Sequence, residues 1–417
     1  MSLLAWALGI YGITTLISMA TMSVGLGIVA LAFGLSAGSM DRRLGLSARL
    51  FAGLAAALTA ACALSLIAAD ISPLVYGGKS AVVRFWPDIT KCFYLFLPLP
   101  MMLALRKLSA TERTRVLAAW LWAFGALTIV GVAQHYTGWP RPQPIPGDEP
   151  YFHVTLALGH HLSVASILIF PWFAALSFAA RPEGASEIRI PRGVLWAMTV
   201  LGAVALFWTF SRTLWLALPL GAFLWVWLTV PPRWAAALGA ATVLALAIAF
   251  QVPAVHDRAS SSIGISTRME LWRANLEFVR QRPWTGAGWH HNLETSGYYL
   301  EATHPGQSDY FVGHAHNNAI EMLGGTGWLG FGAWLIFCGG IFWITWRGRT
   351  PLSRAFFCAW TVFELNGLTQ VNFWESKVLH QMAWVLAWSL LMADTREAAE
   401  QTQEAKAHKT EVPGTEP

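Results

Sequence analysis

The stretch NNAIEMLGGTGWLGFGAWLIFCGGIFWIT, residues 317–345, carries a single charged residue, Glu321, in a long apolar and glycine-rich run. A helix of about 20 apolar residues is long enough to cross the hydrocarbon core of a bilayer. This run is longer than one simple crossing needs. We therefore expect its Gly324-Gly325-Thr326-Gly327 motif to divide it into a short helix and a full membrane span.

The rest of the chain has the same character. Its 417 residues are 55% hydrophobic and 12% charged, which is about half the charged fraction of a soluble domain. The sequence therefore predicts an all-α polytopic membrane protein with about twelve transmembrane helices. The predicted spans are 3–19, 22–37, 50–68, 88–106, 114–136, 161–180, 193–210, 213–230, 233–250, 317–345, 353–370 and 377–393.

Lys and Arg residues are concentrated in alternate short loops, which sets an orientation because cytoplasmic loops carry the basic excess. Their distribution predicts that both termini are cytoplasmic. The expected organisation is transmembrane helices 1–9 in residues 1–250, a large periplasmic catalytic loop with short helices in 251–316, transmembrane helices 10–12 in 317–393, and a disordered cytoplasmic tail in 394–417.

Two classes of function are disfavoured by what the sequence lacks. The net charge of +5 is spread along the chain without the basic block that a nucleic-acid partner would need. No G-x-x-x-x-G-K-[ST] motif is present, so ATP hydrolysis is not expected.

The loop contains a predicted amphipathic helix. Thr267 and Glu270 have the spacing of a capping box with Thr267 as the N-cap, and Pro283 ends the helix after Arg282. A glycine-rich turn, residues 284–289, follows. The apolar face of the helix is expected to carry Met269, Trp272, Leu276 and Val279.

Two arginines are candidates for binding an anion. Arg268 lies in the first turn of the predicted helix, where its charge opposes the helix dipole, and it shares a face with Trp272. Arg212 lies between two apolar runs, so it should face the bundle interior or water. The planar guanidinium suits phosphate because it donates two parallel hydrogen bonds. The alternatives are a salt bridge or exposure for Arg268 and snorkelling to the interface for Arg212.

The loop ends in Gly313-His314-Ala315-His316-Asn317-Asn318, where a helix is expected to begin. On a helix His314 and His316 would differ by about 200°, so only one of them would point into a site. The histidines in and beside the loop leave a metal site as an alternative. Their spacing matches no zinc pattern and no carboxylate pair accompanies them, so no metal ligand is predicted.

These residues together resemble a known family. His316-Asn317, then nine residues, then Gly327-x-x-Gly330 resembles the H-N-x9-G-x-x-G pattern of bacterial O-antigen ligases. Ser211-Arg212 at a span boundary, Arg268-x3-Trp272, Pro283 and Gly286-x-Gly288 resemble the same superfamily. It also includes O-antigen polymerases and protein O-oligosaccharyltransferases.

The resemblance implies a GT-C-like glycosyltransferase in the bacterial inner membrane. Such a ligase transfers O-antigen polysaccharide from undecaprenyl pyrophosphate to lipid A–core at the periplasmic face, with inversion and without metal or nucleotide. No cofactor is therefore expected. The expected partners are the lipid-linked donor, the lipid A–core acceptor and membrane lipids, with no nucleic acid.

The chemistry assigns roles to the candidate residues. A neutral imidazole suits removal of the acceptor hydroxyl proton, which predicts His316 as general base, with His314 as the less favoured alternative. Arg212 and Arg268 are expected to neutralise the departing pyrophosphate. The remaining predicted substrate contacts are His314, Asn317, Trp272, Arg84 and Arg141.

Three alternatives to the ligase stay open. An O-antigen polymerase shares the donor but joins glycan to glycan. A protein O-oligosaccharyltransferase usually carries a longer soluble C-terminal part. A lipid or glycan transporter should show ionisable residues in mid-span or paired broken helices, whereas here the ionisable residues cluster at one membrane face.

Overall fold

The computed structural model describes residues 1–36, 43–72, 74, 86–145, 150–181, 188–229, 231, 239, 251, 265–305 and 313–411. Within these ranges the secondary structure is helical, and no β-strand forms beyond one isolated bridge between Pro144 and Phe152. The predicted all-α class is thus confirmed.

Thirteen α-helices and two 3₁₀ segments are formed by the described residues. The 3₁₀ segments are Trp86–Leu95 and Leu156–Leu158. The α-helices are α1 (Leu3–Thr14), α2 (Met19–Leu35), α3 (Leu46–Ile71), α4 (Pro98–Lys107), α5 (Ala110–Thr137), α6 (His161–Ala179), α7 (Arg192–Phe207), α8 (Arg212–Thr229), α9 (Ile265–Gln281), α10 (Asn292–Thr303), α11 (Asn318–Arg347), α12 (Pro351–Asn366) and α13 (Ser376–Glu411).

Six helical segments are long and apolar enough to cross a membrane: Leu46–Ile71, Pro87–Lys107, Ala110–Thr137, His161–Ala179, Arg212–Thr229 and Asn318–Arg347. Shorter apolar helices form α1, α2 and α7. These segments support a multi-pass membrane protein. The predicted span at 233–250 lies almost wholly outside the described residues, so the count of twelve stays a prediction.

Helix α6 forms the centre of the bundle. It is buried along nearly its whole length and packs against α7 and α12, while α12 also packs against α8. A helix that is apolar on every side lies either in a protein core or in lipid, and α6 is buried by other helices. Helix α6 begins at His161, beside the loop, and its 19 residues span roughly 28 Å at 1.5 Å per residue. The end of the bundle near His161 is called the loop end, and the opposite end is called the distal end.

Helix α11 is broken at the predicted motif. Gly327 has φ 61° and ψ −166°, a conformation essentially restricted to glycine, so the helix kinks there. The turn after Pro283 docks into this kink: Ala287 N–H donates to Gly324 O at 2.9 Å, and Trp328 N–H donates to Pro283 O at 2.8 Å. A Cβ on Gly286 or Gly327 would overlap the facing backbone. The motif glycines therefore have a structural role, joining α9 to α11.

Helix α9 differs from its prediction in two respects. It already includes Ile265, so Thr267 is inside the helix and is not its N-cap. Met269 and Leu276 of the predicted apolar face are exposed, so this face does not pack on the helix bundle, and its contact with the membrane surface stays a prediction. The buried side chains are Leu271, Ala274, Asn275 and Phe278, which also have helical spacing and face α10 and α11.

The tail is expected to be disordered from residue 394, whereas in the structure α13 continues to Glu411. Polar contacts hold its extension against the distal end. Asp394 accepts from Arg106 at 2.6 Å, Glu397 accepts from the backbone N–H of Ser47 at 3.1 Å, and Glu400 pairs with Arg347 at 2.8 Å. The polar composition of this segment favours disorder. The partners that order it lie on other helices, far along the chain, so the local sequence does not predict them.

Candidate functional site

Arg212 and Arg268 line one cavity of about 410 Å³ at the loop end, here called the arginine cavity. Arg212 is the first residue of α8, and Arg268 lies in the first turns of α9. His161 and Trp272 line the same cavity. No Asp or Glu lines it among the described residues. Two predicted anion-binding residues, far apart in sequence, therefore face one space.

The wall beneath Arg212 is held by long-range contacts. Ser211 donates its hydroxyl hydrogen to Asn366 Oδ1 at 3.0 Å, which ties the start of α8 to the end of α12. Phe210, the residue before, has φ 54° and also lines the cavity. A positive φ is rare for an aromatic residue, and such strain concentrates at functional sites.

The segment 313–317 connects the arginine cavity to α11. Trp272 donates its indole N–H to Ala315 O at 2.7 Å. Asn317 is the N-cap of α11, accepting from Ile320 N–H at 3.0 Å, and its amide donates to Leu368 O at 2.8 Å. Since both polar atoms of the Asn317 side chain have protein partners, the structure places it in support of His316. Its predicted contact with substrate stays a prediction.

His314 and His316 both precede the first residue of α11, so the helical geometry that would have separated them does not apply. Their ring centroids are 4.3 Å apart, and His316 N–H donates to His314 Nδ1 at 3.4 Å. His316 has φ 50°, another strained backbone position. The segment thus holds both imidazoles in one cluster.

Burial and neighbouring positive charge lower the pKa of both imidazoles in this cluster. Burial, and then the charges of His314, Arg268 and His160, lower the pKa of His316 to about 3. Burial likewise lowers the pKa of His314, and burial followed by the Arg212 charge lowers the pKa of Arg268. An arginine nevertheless keeps its charge at neutral pH. The site therefore presents two cations and a neutral imidazole that can accept a proton.

A second cavity of about 170 Å³, here called the histidine cavity, is lined by His314, which does not line the arginine cavity. His290, Glu321 and Glu375 line it with His314. Burial is the main cause that lowers the pKa of His290 to about 4. His290 also has φ 60°. His314 and His290 thus share a cavity that no motif in the loop predicts.

Buried Glu321 anchors the segment 313–317 from α11. It accepts from Ala315 N–H at 2.6 Å and from the Asn292 amide at 3.1 Å. The same Asn292 amide group donates to Asn275 Oδ1 at 2.9 Å, which links α9, α10 and α11. No local motif predicts this network, because its members lie on three separate helices.

His161 and Glu375 were also missed as site residues. His161 is the first residue of the buried helix α6, and the only signal in the sequence is its position at a span boundary, as for Arg212. Glu375 bonds with Ser163 of the central helix and faces the histidine cavity. Their positions depend on contacts between helices that are distant in the chain.

Arg141 lies in an exposed loop near the arginine cavity but does not line it. The Arg141 carbonyl accepts from Gln134 Nε2 at 2.8 Å. In the same loop, Gln143 Oε1 lies 3.4 Å from His161 Nδ1. Arg84 lies outside the described residues. The predicted substrate contacts of both arginines stay predictions.

Two comparisons with known proteins bear on this site. Residues 197–335 match the protein family described as O-Antigen ligase, and this range includes Arg212, Arg268 and His316. A General O-oligosaccharyltransferase of Acinetobacter baylyi (strain ATCC 33305 / BD413 / ADP1) is 31% identical over 96 residues, which are 23% of this chain and 16% of that relative's length. These matches support the O-antigen ligase superfamily as the family of this chain and confirm the resemblance predicted from its motifs.

Proposed function

We propose that this protein is an O-antigen ligase, which transfers a polysaccharide from undecaprenyl pyrophosphate to a sugar of lipid A–core. The observation that carries the proposal is the convergence of Arg212 and Arg268 on one cavity beside His316. Arginine pairs suit the pyrophosphate of the donor, and a neutral imidazole suits the hydroxyl of the acceptor.

The transfer is a single displacement at the anomeric carbon. The acceptor oxygen forms a bond to that carbon while the bond from the carbon to the pyrophosphate oxygen breaks, which inverts the configuration. The hydroxyl proton passes to His316, and the electron pair of the broken bond leaves with undecaprenyl pyrophosphate. The pyrophosphate donor is already activated, so no nucleotide is consumed.

The two guanidinium groups stabilise the leaving group. Negative charge grows on the bridging pyrophosphate oxygen in the transition state, and pre-positioned donors act most strongly where water is excluded. Arg268 is half-buried, and no carboxylate lines its cavity among the described residues, so its charge is available to an anionic ligand. We propose that this arrangement operates without a metal ion, and product formation in EDTA tests that part.

Donor binding also prepares the base. The charge of Arg268 is one cause of the low pKa of His316, and a bound pyrophosphate offsets that charge. The pKa of His316 therefore rises when the donor is bound, so the imidazole becomes a stronger base at the moment of transfer.

The proposal includes an orientation in the bacterial inner membrane. About twelve spans in a GT-C-like arrangement place the loop of residues 251–316 and the arginine cavity at the periplasmic face, with both termini cytoplasmic. The six apolar segments and the clustering of site residues at one bundle end are consistent with this orientation.

A second candidate is a protein O-oligosaccharyltransferase, which the 31% identical relative favours by its name. It would use the same donor and the same arginines but transfer the glycan to a protein hydroxyl. An O-antigen polymerase is the third candidate, with a second lipid-linked glycan as the acceptor.

The acceptor distinguishes these candidates. Purified protein is supplied with a polyprenyl-pyrophosphate glycan and, in separate reactions, lipid A–core, a second lipid-linked glycan, or a serine-containing acceptor protein. The ligase proposal expects product with lipid A–core. Transfer confined to either other acceptor would assign the corresponding alternative instead.

A further inference from the structure

A large cavity at the distal end contains a second group of arginines. This distal cavity has a volume of about 580 Å³, and it is lined by Arg113, Arg181, Arg349 and Arg396. No Asp or Glu lines it within the described ranges. It lies between α5, α12 and α13, one helix length from the arginine cavity, so it belongs to neither substrate in the proposed reaction.

We propose that the distal cavity binds the phosphate group of an anionic phospholipid. Four guanidinium groups around one space suit a phosphate, because each can donate two parallel hydrogen bonds. The first turns of α5 and α12 also line the cavity, but side chains of their own capping boxes already cap both helices, so the arginines carry the argument.

The protein satisfies these arginines only in part. Arg396 pairs with Glu400 at 2.9 Å, and the guanidinium of Arg181 lies 4.6 Å from the ring centroid of Phe178. Arg113 has a buried Nε without a hydrogen-bond partner in the described part of the chain. Buried donors normally have acceptors, and the Nε–H of Arg113 is an exception to this rule.

The backbone on the facing wall is strained. Arg349 has φ 50° in the short link between α11 and α12. A non-glycine residue in this conformation costs free energy, and such strain persists where the surroundings or a ligand require it. Here it presents Arg349 to the cavity.

The lining indicates a lipid as the source of the phosphate. Leu117, Phe178, Leu352 and Trp388 contribute apolar surface to the same cavity. The cavity lies at the ends of apolar helices, where acyl chains would continue along the bundle. Glu112, in the first turn of α5, is already bonded to the Ser2 backbone N–H at 2.6 Å. An acyl phosphodiester uses both the cationic and the apolar walls, whereas a free phosphate ion uses only the first.

Native mass spectrometry of the purified full chain tests the proposal. The protein is incubated with an equimolar mixture of phosphatidylglycerol and phosphatidylcholine, and retained lipid is counted. We expect preferential retention of phosphatidylglycerol. Arg113→Gln should lower that retention about fivefold, the effect of one basic residue near an anionic lipid. Arg113→Lys should lower it less.

Arg49→Gln is the matched control, because Arg49 is an exposed arginine at the same end of the bundle that does not line the cavity. Equal retention of both lipids, or equal losses in Arg113→Gln and Arg49→Gln, would overturn the proposal. Displacement of phosphatidylglycerol by millimolar inorganic phosphate would overturn the lipid assignment. If Arg113→Gln does not purify in folded form, Arg349→Gln on the facing wall replaces it.

Discussion

The two ends of the bundle each present arginines to a cavity, but they differ in what stands beside those arginines. At the loop end, His161 lines the arginine cavity and His314 and His316 lie next to it. At the distal end, four arginines line the cavity and no histidine does so among the described residues. In the two proposals, the distal arginines only hold a phosphate, whereas transfer at the loop end also needs a group that accepts a proton.

Strained backbone is present at both ends, but at residues of different kinds. Phe210, His290 and His316 all have positive φ at the loop end, whereas Arg349 is the corresponding residue beside the distal cavity. Strained positions around the histidines fix imidazole placement, which matters more for proton transfer than for binding a lipid phosphate.

The first way to break this comparison is to remove its base. We expect His316→Ala to lower kcat by about 10²–10⁴-fold, the usual contribution of a general base, while donor binding is retained. The measurement is glycan transfer from the lipid-linked donor, with donor binding assayed separately. His304→Ala is the matched control, a loop histidine at the end of α10 that lines neither cavity at the loop end. Normal transfer by His316→Ala would refute the base assignment.

The second change removes a cation and keeps the base. Arg268→Ala should lower kcat by about 10²–10³-fold, because a positioned donor to the leaving group is lost. Arg268→Lys should fall between wild type and Arg268→Ala, since it keeps the charge but not the planar fork. The matched control is Arg273→Ala on the same helix, an exposed arginine paired with Glu270 at 2.5 Å. If Arg268 and Arg273 variants lose activity equally, the cavity does not bind pyrophosphate as proposed.

How much of this site the sequence predicts depends on the range of the contacts involved. The break in α11 and the end of α9 before Pro283 follow from local motifs. Arg212 and Arg268 are each singled out by their local positions, but their meeting in one cavity is a tertiary contact. The buried face of α9 does not follow from a local motif, because Met269 and Leu276 have the same helical spacing as the residues that are buried. The cap at Asn317, the Ser211–Asn366 bond and the ordered start of the tail depend on partners far along the chain or on tertiary packing.

The third prediction concerns the scaffold that holds both histidines and arginines in place. Gly327→Ala should lower the free energy of unfolding by about 1–3 kcal/mol, because alanine disfavours this φ and its Cβ would overlap the turn after Pro283. Thermal unfolding in detergent measures the loss. Gly332→Ala on the same helix is the control, since its Cβ would meet no atom within 4 Å. Similar melting of both variants would show that the docked turn is not a structural requirement.

The smallest expected effect is the response of transfer to pH. An ordinary histidine base with a pKa near 6.5 would lose about tenfold in kcat/KM on acidification from pH 7.5 to 5.5. Burial and neighbouring positive charges lower the pKa of His316 to about 3 in the free protein. Since kcat/KM reports groups of the free enzyme, it should change by less than about twofold over that range.

Arg268→Gln sharpens the same test by removing one of the charges that lower this pKa. Protonation of His316 would then begin at higher pH, so the acid limb should move upward even though burial, the largest cause, is unchanged. In this prediction the charge of Arg268 helps to set the pKa of His316. A wild-type acid limb with a midpoint near 6.5, unmoved in Arg268→Gln, would mean that another group limits transfer and that the two residues act independently.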